Sequence, residues 1–163
     1  MPSDATIRHT GTNATGERSL KIAIRSTLSI VTLSLVSAVA LAQCPQYRET
    51  AHAPDGLYQQ SNPLEQTHHN LRMGKRLYRG KDGDTDCVKC HGKKGDGRGP
   101  LAHSFAPMPR NFTCAETMNP IPDGQLFWII RNGSPNTSMP AHPKLSDEQV
   151  WQLVMWLREM ADD

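Results

Sequence analysis

Five consecutive residues, Cys87-Val88-Lys89-Cys90-His91, constrain this chain more than any other feature in it. They lie in a stretch, 80–100, made mostly of glycine, aspartate, lysine and arginine. The chain then runs on through "GKKGDGRGPLAHSFAPMPRNFT", where Gly92, Gly95, Gly97, Gly99 and three prolines forbid a packed helix or strand. Irregular chain of this kind has to wrap around something. Aromatics are only 6% of the residues, so little apolar area is on offer. A domain this small and irregular needs a staple: a metal, disulfides or a large apolar group.

Zinc would want four ligands, and the remaining cysteines, Cys44 and Cys114, stand alone rather than as a second close pair. A thioredoxin-like dithiol would need a βαβ setting, and no period-two alternation runs far enough to make a sheet. Cys-x-x-Cys-His is the signature for covalent haem attachment, both thiols adding to haem vinyl groups as thioethers. On a helical turn Cys87, Cys90 and His91 share one face. The expected cofactor is therefore one haem c, bound through Cys87 and Cys90, with His91 as an iron ligand.

Thioether sulfur is the usual partner of histidine in electron-transfer haem proteins. Met73, Met155 and Met160 fall in expected helices and read as packing. Met108 lies only 17 residues past His91, between prolines. Met139 lies 48 residues past it, in the loop "GSPNTSMPAHP", and Pro140 would stiffen its approach. Met139 is the favoured sixth ligand, with His103 or His142 as alternatives.

The N-terminus carries an export signal. Arg18, Lys21 and Arg25 precede the uncharged run "STLSIVTLSLVSAVALA", which ends in Ala40-Leu41-Ala42. Residues 1–42 read as a signal peptide with a long polar start, and the product is expected in the periplasm. Two other readings place the protein at a membrane: an uncleaved anchor, or lipidation at Cys44, against which Gln43 argues. Removing residues 1–42 also removes Arg8, Arg18, Lys21, Arg25, Asp4 and Glu17, which leaves fourteen basic and fourteen acidic residues. A neutral product argues against a nucleic-acid partner. Basic residues still outnumber acidic ones around the motif, either as a solvated face or as a steering patch for an acidic partner.

Residues 43–61 lack helical period and read as an extended arm, leaving 62–163 as the domain. Asn62, Pro63 and Glu65 resemble an N-cap, first turn and capping box, predicting a helix over 63–79 with the stripe Leu64, His68, Leu71, Gly74 and Tyr78. Gly74, inside that helix, costs about 1 kcal/mol relative to alanine, which suggests close approach by another element. Asp123 is expected to cap "GQLFWIIRN". Ser146 and Gln149 form a second capping box, opening a helix over 147–160 with the stripe Val150, Leu153, Val154 and Leu157.

These residues resemble a class I, monohaem c-type cytochrome of the small bacterial exported kind. The resemblance runs from about 64 to 160 and rests on "GKRLY", "CVKCHG", "GDGRGP", "LFWIIRNG", "MP" and "WQLVMWL". It implies an all-α cytochrome c fold, three to four short helices wrapped around one covalently bound haem. It implies that the first and last helices cross at Gly74, Tyr78 and Trp156. It also implies that the Pro100 carbonyl accepts from the proximal imidazole. The long Tyr78-to-Cys87 connection and the arm depart from the family pattern. Cys44 and Cys114 are either paired, which would stabilise by about 2–4 kcal/mol, or free, or Cys44 is lipidated. Three functions follow: an electron carrier with redox protein partners and no enzymatic activity, a dedicated cytochrome subunit of a larger dehydrogenase or oxidase complex, or a haem enzyme or sensor with an open sixth site.

Overall fold

The computed structural model describes residues 44–82 and 85–162. The expected signal peptide, its cleavage site and the anchor reading lie outside the described residues. Among those residues the protein is all-α, with no strand. In chain order the elements are α1 (Asp55–Tyr58), α2 (His68–Tyr78), α3 (Val88–His91), a 3₁₀ turn (Ala102–Ser104), α4 (Ala115–Met118), α5 (Asp123–Asn132) and α6 (Asp147–Asp162). Three of the six helices are single turns. Only α2, α5 and α6 are long enough to present a face.

α2 starts later than the 63–79 pattern predicts. Thr67 is the N-cap, its Oγ1 accepting from the Asn70 amide at 3.1 Å. Asn62 is committed elsewhere. Its Oδ1 accepts from Leu64 N at 3.0 Å, a local turn that competes with helix, and its Nδ2 donates to Trp151 O at 2.9 Å. His68 consequently sits exposed at the helix start, and the buried face is Gly74, Leu77 and Tyr78.

α6 begins as its sequence predicts. Ser146 N donates to Gln149 Oε1 at 2.8 Å and Gln149 N to Ser146 Oγ at 3.2 Å, the reciprocal capping box. Its buried stripe is wider than predicted, adding Trp151, Met155 and Met160 to the four expected residues. At the α2–α6 crossing, a Cβ on Gly74 would lie well inside van der Waals contact distance of Gln152 O and 3.0 Å from Trp156 Cβ. The costly mid-helix glycine is therefore what lets the two backbones approach.

α5 and its preceding turn are fastened to α6 by one side chain. Arg158 donates to Asp123 Oδ1 at 2.7 Å, to Met118 O at 2.7 Å and to Ile121 O. Asp123 is the first residue of α5 rather than its cap, and its carboxylate stands in the first turn, where the helix dipole favours a negative charge. The core formed by α2, α4, α5 and α6 is built on Leu77, Met118, Leu126, Val150, Leu153 and Val154.

The arm is less extended than its composition predicts. It contains α1 and lies against the body: Ala53 N donates to Gln125 Oε1 at 2.8 Å, and Gln125 Nε2 returns to Ala51 O at 2.8 Å. Cys44 and Cys114 form a disulfide, so the free-thiol and lipidated readings of Cys44 give way to pairing.

Candidate functional site

The motif folds as one helical turn. His91 N donates to Cys87 O at 2.8 Å and Gly92 N to Val88 O at 3.0 Å, and the turn ends at Gly92, whose φ of 82° favours glycine. The last carbonyls of such a turn have no helical partner. The glycine-rich stretch supplies them: Gly97 N donates to His91 O at 2.9 Å, Gly99 N to Cys90 O at 3.0 Å, and Leu101 N to Lys89 O at 2.9 Å. Tyr78, from α2, donates its hydroxyl proton to Gly92 O at 2.6 Å. Small residues are needed here because backbone packs directly on backbone.

The turn presents Cys87, Cys90 and His91 to one open cleft, whose empty space, open solvent included, is about 1180 Å³. Its walls are largely apolar, with Phe105, Ile121, Leu126, Ile130, Leu153 and Leu157 among them. Burial pushes the Cys87 thiol up to about 12 and raises Cys90 as well. Both are protonated thiols at neutral pH, unlike the low-pKa thiolate of a dithiol redox site.

Burial pushes the His91 imidazole down to about 4, so it is neutral at physiological pH. Its Nδ1 lies 3.0 Å from Arg110 O and donates to it, leaving the Nε2 lone pair bare for a metal. Phe112 stacks on the ring at 4.4 Å between centroids. The acceptor implied for Pro100 is thus Arg110. The turns that satisfy the motif carbonyls carry Pro100 outward to an exposed position beside Gly92 and Arg98. The next pass of chain, 105–112, is the one that crosses beneath the imidazole.

Met139 lines the same cleft from the loop after α5. That loop is braced by its own residues. Met139 N donates to Thr137 Oγ1 at 3.2 Å, Thr137 Oγ1 donates to Ser134 O at 2.7 Å, and Ser134 N donates to Met139 O at 3.2 Å. Of the alternatives, His142 and Met108 also line the cleft. His103 is exposed on the 3₁₀ turn, away from the cleft lining. Met155, Met160 and Met118 are buried in packing.

Two cleft residues were not anticipated. Arg48, from the arm, and Arg110 both line it, and no described carboxylate pairs with either. Desolvation, and then the Arg48 charge, lower Arg110 to about 10. The sequence signal for them is the cysteine pair: joining Cys44 to Cys114 limits how far apart Arg48 and Arg110, each four residues from its cysteine, can lie.

These residues fit a haem. Two thiols and an imidazole with a free Nε2 share one face, a methionine lines the same apolar cleft, and two arginines without a described carboxylate partner line it as well. Comparison with known proteins agrees. The family model for cytochrome c matches residues 71–161, more than half of the chain. No curated protein matches. Among solved structures, the chain is similar to one from the "Kuenenia stuttgartiensis reducing HAO-like protein complex Kustc0457/Kustc0458", at 26% identity and a TM-score of 0.51. That match covers 70% of this chain and 52% of the other, so this chain spans about half the length of that relative. From the family match, and from a motif turn opening onto such a cleft, the chain belongs to the cytochrome c family, whose covalently bound haem c transfers electrons to and from redox partners.

Proposed function

We propose that the protein is an exported monohaem c-type cytochrome, working in the periplasm, that passes single electrons between protein partners and is not itself an enzyme. The observation that carries this reading is the convergence of Cys87, Cys90, His91 and Met139 on one apolar cleft. When bound, the haem supplies an Fe(II)/Fe(III) couple.

The chain's own residues do the rest. Cys87 and Cys90 would hold it through two thioether bonds, each thiol adding its sulfur to one vinyl carbon and its hydrogen to the other, with no net oxidation. His91 would ligate through Nε2, while Arg110 O holds its Nδ1 proton and so fixes ring orientation and tautomer. Met139 offers soft sulfur, which favours the reduced metal. With His91 and Met139 both holding the metal, the protein would leave no place there for a substrate. The apolar walls exclude water and limit the rearrangement that accompanies each electron.

The test is optical. A pyridine haemochrome of the c type with one haem per chain is expected, and the ferric form should show the long-wavelength sulfur-to-iron band. A colourless protein without added mass on Cys87 and Cys90 would overturn the reading.

A second reading, a dedicated subunit of a larger assembly, is favoured by one observation. The similar solved chain described above comes from a protein complex. Gel filtration of the native extract separates the two: a carrier elutes near its own mass, a subunit with the complex.

A further inference from the structure

The arm, residues 44–60, lies N-terminal to the family match at 71–161, yet it is bound to the chain that runs under His91. Beyond the disulfide, Gln46 N donates to Thr117 Oγ1 at 2.8 Å, and Gln46 Oε1 accepts from Asn111 N at 2.8 Å. Arg48 Nη2 donates to Met108 O at 2.6 Å. These links grip 108–117 on both sides of Arg110, the residue whose carbonyl holds the imidazole. They also set the Arg48 guanidinium in the cleft with that of Arg110, leaving two half-buried cations without a described carboxylate partner. Like charges brought together out of water are unfavourable unless an anion joins them. A haem brings two carboxylates.

We infer that the arm is part of the haem site, with Arg48 and Arg110 together seating the haem's carboxylate edge and the arm's links holding Arg110 in register beneath His91. The inference rests on the proposed haem reading. Arg48 then acts on the metal through charge. The ferric form has one more positive charge than the ferrous, so a nearby cation favours Fe(II). Removing it leaves a carboxylate uncompensated and favours Fe(III).

Redox potentiometry of the purified holoprotein tests this. Arg48→Gln keeps a donor for Met108 O and removes the charge. At a fixed ambient potential it should lower the Fe(II)/Fe(III) ratio on the order of tenfold, for unit charges roughly 10 Å apart at an effective dielectric of about 20. For one electron that is ~59 mV. Arg48→Lys keeps the charge and should move the ratio by less than half as much on the logarithmic scale. Equal shifts in the two variants, or none in either, with the c-type spectrum intact would overturn the inference and leave the proposed function standing. A wild-type protein without a c-type spectrum would overturn both. Should Arg48→Gln fail to retain haem while Arg48→Lys retains it, a charge requirement at this position is shown directly; loss in both means that packing rather than charge is at work, and the inference falls.

Discussion

His91 is held by residues distant in sequence, Met139 by its neighbours. Beneath the imidazole stand Arg110 O and Phe112, and that segment is tied to Cys44, Gln46 and Arg48, some seventy residues earlier along the chain at the disulfide. The Met139 loop is braced mainly through Ser134 and Thr137, inside its own turn. Loop-closure entropy makes distant ties slow to form but leaves them part of the global fold, whereas local ties open alone. The proximal wall should therefore yield only when the whole domain does, and the distal wall should yield first.

The largest expected effect comes from the proximal side. His91→Ala removes the proposed ligand from a wall that offers no substitute, since neither Arg110 O nor Phe112 can take its place. Holoprotein recovered from the exported fraction should fall to background by pyridine haemochrome. A His91→Ala protein with normal haem content and normal spectrum would break the comparison at its stronger end.

Met139→Ala should be milder, because the loop's hydrogen bonds use its backbone and not its sulfur. The long-wavelength band should vanish and the ferrous form should bind carbon monoxide readily, with haem still attached. Met108→Ala should keep the band. Loss of the band in Met108→Ala alone would move the sixth ligand to the chain that passes under His91, and the two walls would no longer be separate.

Thr137→Val sharpens the contrast further. It deletes two hydrogen bonds that brace the Met139 turn, at about 1 kcal/mol each. Carbon monoxide should bind the ferrous variant measurably faster than wild type, while global thermal unfolding moves by only a few degrees. Equal loss in both measurements would mean that the distal loop is part of the global unit after all.

The same division explains what the sequence disclosed. Short-range devices were legible: the motif turn, the Ser146–Gln149 box, and the local cost of a glycine inside α2. Met139, which lines the cleft, stood out because loop composition and sulfur chemistry coincide at one residue. The long-range devices were not. Asn62 has the composition of an N-cap, and only the Trp151 carbonyl, brought in by α6, shows why it serves elsewhere. Pro100 and Arg110 both follow the motif in irregular chain, and nothing local says which pass crosses the imidazole. The glycine turns decide it, because three of their amides must face inward to the motif carbonyls. Arg48 became meaningful only once Cys44 had a partner.

The smallest expected effect is a pH dependence confined to the distal wall. His142 lines the cleft, its amide donates to Ile130 O at 3.2 Å, and burial lowers its pKa from the ordinary value. A histidine that takes up its proton less readily when folded makes the unfolded chain the better proton binder between the two pKa values, so stability rises with pH through that window. The contribution is complete above about pH 6.5, the unfolded value, and is lost progressively as pH falls toward the depressed folded value. Because His142 follows Met139 by three residues, that loss should fall first on the loop. Acidification of the ferrous holoprotein below pH 6.5 should therefore speed carbon monoxide binding before it alters far-ultraviolet circular dichroism, and His142→Asn should remove that pH dependence. Were the acceleration to persist unchanged in His142→Asn, the titrating group would lie elsewhere in the cleft.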